Sequence, residues 1–301
     1  MKKDIKAKIS KIGMSNGRWN FEWEMLRDES SGTHRRVAGT AARRVVEHHG
    51  QTDVTLLFAD TLMEDEDLYR FLREAAENVG AELVQLVEGR DPWDVFRDVK
   101  YIGNTRADPC SLKLKREVLD KWLNDNCDPA NTTCYIGIDF TEEHRFIRLR
   151  DRKAAQGWTY EAPLCEAPYM TKPDMLEWLD REGIAAPRLY GMGFAHNNCG
   201  GMCIKAGHGH FANLLKQMPE RYLYHERQEE AMRQFLGRDD VTILRDRRGG
   251  TTTPMTMRAF RERIEAGHQP DLFDIGGCGC LVDDIEARQN GEVPELTLEK
   301  V

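Results

Sequence analysis

The residues best suited to chemistry in this chain are two close cysteine pairs, Cys199-Gly-Gly-Met-Cys203 and Cys278-Gly-Cys280, far apart in sequence. Two such pairs brought together by the fold give the four sulfur donors of a tetrahedral metal ion or an iron–sulfur cluster. Glycines within and before the pairs, Gly276-Gly277 among them, let the backbone turn its amides toward charged sulfur. The spacing is not one of the common zinc-finger spacings, so a metal or cluster stands beside the plainer reading of buried thiols or a disulfide. His196, His208 and His210 flank the first pair and read either as further ligands or as hydrogen-bonded structural residues. Asn197 and Asn198 offer amide donors to sulfur or substrate. Lys205, two positions after Cys203, offers a positive charge that favours a thiolate or holds an anion. Cys127, Cys134 and Cys165 lie apart and read as ordinary buried or surface thiols.

The elements that must position these groups follow an α/β order. Residues 21–26 alternate weakly, as a strand would, and Ser30-Ser31-Gly32-Thr33 then leads into a helix over 37–48. Strand, short Ser/Gly turn and helix is an order that cradles phosphate, because the first amides of a helix are unpaired and its dipole favours an anion. Residues 53–59 read as a buried parallel strand ending at Asp60-Thr61, which puts an acidic side chain at the carboxyl edge of a sheet. An amphipathic helix over 66–79 and a strand over 81–87 complete a βαβαβ run, which predicts a doubly wound, mostly parallel sheet. A further strand over 134–138 ends in Asp139 and a charged loop, Thr141 to Arg145. Helices are expected over 171–183, 211–217 and 220–236. The expected division is an N-terminal extension (1–28), a nucleotide-binding α/β domain (29–157), a cysteine-rich, mainly helical subdomain (158–284) and an acidic tail (285–301).

Bulk properties bound the class. The chain has 301 residues and a net charge of -8, enough length for a core without disulfides and a balance that opposes indiscriminate nucleic-acid binding. Two basic runs, Arg145 to Lys153 and Arg245 to Arg248, line a local groove or a solvated surface. The segment 244–254 combines arginine forks with glycines, which suits phosphate or a nucleic-acid backbone, or else a solvent loop. No run reaches the roughly 20 apolar residues of a membrane span, and the start Met1-Lys2-Lys3-Asp4 lacks the apolar core of a signal peptide. A cytoplasmic protein with reduced thiols and no membrane partner is expected.

Three blocks, Leu56 to Glu64, Asp108-Pro109-Cys110-Ser111-Leu112-Lys113-Leu114-Lys115-Arg116, and Gly137 to Arg145, occur in an order that resembles the phosphoadenosine phosphosulfate reductase-like family. That family belongs to the adenine nucleotide alpha hydrolases, or PP-loop ATP pyrophosphatases. The run His196 to Gly207 resembles a block of an uncharacterised phage or bacterial branch of it. The resemblance covers residues 30–150 as scattered blocks.

It implies ATP with Mg2+ as the bound nucleotide, its phosphates on Ser30, Ser31, Gly32 and Thr33, with Asp60 and Thr61 beside it and Arg145 near the phosphate or sulfate. The chain departs from the family's Ser-Gly-Gly-x-Asp-Ser loop, carrying His34-Arg35-Arg36 where Asp-Ser usually stands. Either Arg35 contacts phosphate in another manner or turnover is weakened. The reductases' Glu-Cys-Gly-x-His motif is also absent, since Gly277-Cys278-Gly279-Cys280-Leu281 lacks the glutamate and histidine. Related thiolation enzymes hold a 4Fe-4S cluster. By that resemblance Cys110, Cys199, Cys203 and one of Cys278 or Cys280 form the ligand set, leaving the last, Cys280 for instance, as a reactive thiol. The set Cys199, Cys203, Cys278 and Cys280 would equally suit a structural Zn2+. The resemblance further implies a sulfur donor or reductase as partner and tRNA or DNA as acceptor. A non-catalytic nucleotide-binding regulator and a zinc-stapled nucleic-acid-binding protein are the rival readings.

Overall fold

A computed structural model describes residues 24–26, 39–49, 54–103, 107–247 and 251–270. Its first elements are β1 (Glu24–Leu26), α1 (Gly39–His49), β2 (Thr55–Asp60), α2 (Glu66–Val79) and β3 (Glu82–Val87). Between its two polar ends β2 is wholly apolar, and all six of its residues are buried, as a strand covered on both faces requires. The β2 and β3 strands pair in parallel with α2 as their crossover. That helix starts where Asp65 accepts the Asp67 amide and stops at Gly80, whose left-handed backbone returns its N–H to Ala76. Its Leu68, Phe71, Leu72, Ala75 and Val79 face the core.

After α3 (Pro92–Val99), a helical run is built from α4 (Pro109–Ser111), a π-helical turn (Leu112–Arg116) and α5 (Glu117–Asn126). Then follow β4 (Thr133–Ile136), α6 (Glu143–Ala154), β5 (Thr159–Glu161), α7 (Lys172–Arg181) and the short α8 (Arg188–Gly191). The five-stranded sheet has the order β3-β2-β1-β4-β5. Its pairs β2/β3 and β4/β5 are parallel, whereas β1 runs antiparallel to both β2 and β4. The protein is therefore mixed α/β with two parallel pairs, and the mostly parallel sheet expected from the sequence is interrupted by β1. Because β1 opposes both neighbours, β2, β3, β4 and β5 all point one way, and their carboxyl ends share one edge.

The remaining elements are α9 (His208–Gln217), α10 (Pro219–Leu236), an antiparallel hairpin of β6 (Leu244–Asp246) and β7 (Thr253–Met255), and α11 (Met257–Glu265). One apolar core joins the sheet to α1, α2, α5, α6 and α7. A second gathers α3, α9, α10, α11 and the hairpin around Trp93, Phe96, Phe211, Tyr222 and Met257. Met63, just past β2, belongs to the second core, while β5 and α7 belong with the sheet, so the two cores interleave along the chain. Among the described residues no helix is long and apolar enough to cross a membrane.

Candidate functional site

The seam between the two cores lies at the carboxyl end of β2, where the chain turns through Asp60, Thr61, Leu62, Met63, Glu64 and Asp65. Asp60 accepts hydrogen bonds from the Leu62 amide at 2.8 Å, from Tyr69 at 3.0 Å and from Gln85 at 2.6 Å, so its carboxylate fixes the turn from three sides. Leu62 takes a left-handed backbone, φ 57°, which an L side chain adopts only where neighbours impose it. Thr61 donates to Glu64 Oε1 at 2.9 Å. Glu64 Oε2 accepts the amide of Cys199 at 2.7 Å, tying the turn to the cysteine loop.

That loop has a backbone only its sequence allows. Cys199, Gly200 and Gly201 are successively left-handed, with φ 49°, 58° and 87°. A side chain at Gly200 would enter the guanidinium of Arg221. Arg221, on α10, donates to the carbonyls of Met63 at 2.9 Å and Glu64 at 3.3 Å and pairs with Asp65 at 3.7 Å, which clamps the turn and the loop together. His210 holds the loop from the other side, its Nε2 meeting the Gly201 carbonyl at 2.7 Å. A carbonyl only accepts, so Nε2 carries the proton; burial lowers the His210 pKa to about 4 and keeps the ring neutral. His196 stacks on it with ring centres 4.3 Å apart. Asn197 is buried, and neither its amide oxygen nor its nitrogen has a hydrogen-bond partner among the described residues.

The third strand of the site comes from the π-helical run. A π turn widens a helix and re-aims its side chains, and such turns recur at functional sites. Here the turn carries Lys115 and Arg116 inward, both buried. Asp108, also buried, accepts from Arg116 at 3.0 Å and pairs with Lys205 at 3.3 Å. Two cations thus bracket one carboxylate while Lys115 adds a third positive charge in the same wall. Gly103 makes the approach possible, since a Cβ there would strike both the Ala107 carbonyl and Ile204.

These segments enclose one small cavity lined by Cys110, Cys199 and Cys203 together with Thr61, Asp108, Ser111, Lys115 and Lys205. Three of the cysteines expected to act together therefore do share a wall, and all of the described cysteines are thiols. No group of three or more His, Cys, Asp or Glu side chains among the described residues could hold a single metal ion. Cys278 and Cys280, and the phosphate-loop residues Ser30, Ser31, Gly32 and Thr33, lie outside the described residues. Arg145 sits beyond β4 on α6, buried and paired with Glu142 at 2.8 Å. His208 turns away from the cavity, its Nε2 at 2.9 Å from the Arg245 carbonyl. Cys165 lies near Ile138; burial, helped by the charges of Glu143 and Asp139, pushes its thiol up to about 12, so it stays protonated and unreactive at neutral pH.

Sequence reasoning singled out the cysteines and Lys205 but gave no role to Glu64, Asp108 or Arg221. Glu64 and Asp108 fall inside the resembling blocks, which was the available signal. Arg221 sits on a charged helix among many arginines and has none. No family model matches the chain, and no curated protein or solved structure matches it.

Proposed function

We propose that the chain is a phosphoadenosine phosphosulfate reductase-like, nucleotide-dependent enzyme that activates an acceptor with ATP for sulfur transfer or reduction. The observation that carries this reading is the convergence of Cys110, Cys199 and Cys203 with Lys115 and Lys205 beside Thr61, at the carboxyl edge of the sheet. Open α/β sheets bind ligands outside the carboxyl ends of their strands, where the strand order reverses. The order β3-β2-β1-β4-β5 reverses at β1, which supports a doubly wound plan with β1 turned against it.

The resemblance favours an iron–sulfur centre, with a structural zinc on Cys199, Cys203, Cys278 and Cys280 as the alternative. Three soft sulfurs line one wall, and Cys278 and Cys280, which would complete either set, lie outside the described residues. Cys110, Cys199, Cys203 and one of Cys278 or Cys280 would hold the cluster, which supplies a sulfur-binding or electron-transferring centre. The chain's own residues do the rest. Lys115 and Lys205 place positive charge where anionic sulfur gathers, and Asp108 holds Lys205 in place. Glu64 fixes Cys199 through its amide, and Arg221 prevents the loop from opening.

In the reaction, an acceptor oxygen attacks the α-phosphorus of Mg-bound ATP and pyrophosphate leaves. A sulfur nucleophile then displaces AMP from the activated carbon, and the acceptor oxygen departs with AMP. The replacement of Asp-Ser by His34-Arg35-Arg36 favours a second reading, a regulator that binds nucleotide without turning it over. Calorimetric titration with Mg-ATP, followed by pyrophosphate assay in the presence of bulk tRNA or DNA, separates the two. Binding with acceptor-dependent pyrophosphate release is expected. Binding without release leaves the regulator, and no binding of ATP contradicts both.

A further inference from the structure

A second cleft, larger than the thiol cavity, lies away from the cysteines. It has a volume of about 430 Å³ and lies between the β6–β7 hairpin and α11. Arg245, Arg247 and Arg263 line it together with Asp246, and His208 and His268 stand at its walls. Three arginines against one aspartate leave a net charge of +2 before any charge on the histidines. Met255, Ile264 and Pro270 supply an apolar side.

The arginines are not equally committed. Arg263 pairs with Asp246 at 2.6 Å, and Arg245 bonds the hydroxyl of Thr242. Arg247 is exposed at the cleft and makes no ion pair or hydrogen bond among the described residues. A guanidinium fork with its donors open, over a concave wall that is cationic on one side and apolar on the other, matches a phosphate ester attached to a flat, partly apolar group. The volume suits a ligand of nucleotide size.

We infer that this cleft is an anion site, built for a phosphate ester of nucleotide size. Among the described residues its lining comes from residues 208–270, without α1 or the end of β2. Its lining is linked to that of the thiol cavity through the chain. Lys205 lines the cavity and His208, three residues on, lines the cleft, while the charge of Arg245 acts on Tyr101, in the chain leading to Cys110. As a subsite the cleft would hold the phosphate of the acceptor close to the cysteines. That use rests on the proposed function; the binding itself does not.

The ligand chemistry has two sources, a free mononucleotide or the phosphodiester of a polynucleotide, and the probes separate them. AMP and fluorescent single-stranded 12-mers of RNA and DNA are titrated by anisotropy and competition against the full chain. Arg247→Ala, which removes an exposed side chain with no described partner, is expected to weaken the bound probe by about tenfold, and Arg247→Glu by more. If the source is a polynucleotide, the slope of log K against log salt also falls by about 0.7 with Arg247→Ala. Arg150→Ala, on the far α6 and paired with Asp151, is expected to change neither. The Cys110→Ser protein without ATP separates this inference from the proposed function: probe binding there should persist. Equal binding by wild type and Arg247→Glu, or no binding of any probe at 50 mM salt, overturns the inference.

Discussion

One stretch of chain contributes to both the thiol cavity, through Cys199 to Lys205, and the cationic cleft, through His208, yet the two handle charge in opposite ways. In the cavity Lys205 and Arg116 are buried and both lie against Asp108. In the cleft Arg247 stands in solvent with no described partner. Buried charge is tolerated only where paired and is then held rigidly; exposed charge stays available to a ligand and contributes little to stability. The contrast is the reason for proposing chemistry at the first region and recognition at the second.

Breaking the buried set should have the largest effect. Asp108→Asn leaves Arg116 and Lys205 facing each other without their anion, and a loss of about 3–5 kcal/mol in chemical denaturation is expected. Arg247→Ala should move the denaturation midpoint hardly at all. If both substitutions cost the same, the distinction between a rigid cavity and an adaptable cleft fails.

Next is Gly200→Ala. It forces a Cβ onto a left-handed backbone and into Arg221, so about 1–3 kcal/mol should be lost together with the docking of the cysteine loop. Proteolysis between α8 and α9 should accelerate. An unchanged cleavage rate would show that Arg221 does not clamp the loop.

The elements that wall the cleft sharpen the comparison through pH. Glu229 on α10 accepts the amides of Ile243 at 2.8 Å and Met257 at 2.7 Å, pinning the hairpin and α11. Burial nevertheless raises its pKa from 4.5 to about 7, against the pull of those amides. An acid whose folded pKa is raised binds its proton more tightly when folded. Its contribution is full below about 4.5 and is lost as pH climbs through about 7. The shift corresponds to a stability difference on the order of 3 kcal/mol across that window. Denaturation at pH 5 and pH 8 should show the fall in wild type and a flatter profile in Glu229→Gln. Parallel profiles would remove Glu229 from the account.

Much of the fold was legible because periodicity and caps were strong. The helix expected over 66–79 has those limits in the structure, and the Thr171 start is a capping box with Asp174. The strands expected at 53–59, 81–87 and 134–138 appear within two residues at each end. Other elements gave no apolar pattern. The α6 helix is nearly all charge around Leu149, and it reads as a charged loop and a basic run. In the structure Arg145, Arg150 and Lys153 of that run pair with Glu142, Asp151 and Asp120. Strands of three residues around an arginine- and glycine-rich turn read as a loop, and the hairpin emerges only from its packing on Glu229 and α11. The direction of β1 is set by its partners, which its own six residues of alternation do not encode. In the site the cysteines announced themselves by spacing, whereas Glu64, Asp108 and Arg221 act through contacts more than ninety residues away in sequence.

The central claim is that Cys110 and the Cys199/Cys203 pair act as one set of ligands, and iron and acid-labile sulfide content tests it most directly. Protein purified without oxygen should carry about four of each per chain with a brown chromophore, and Cys110→Ser and Cys203→Ser should each lose most of both. Cys165→Ser, whose thiol lies by Ile138, should lose neither. A colourless chain with one tightly held zinc, or iron that survives the loss of Cys110 and of Cys203 alike, would contradict the account.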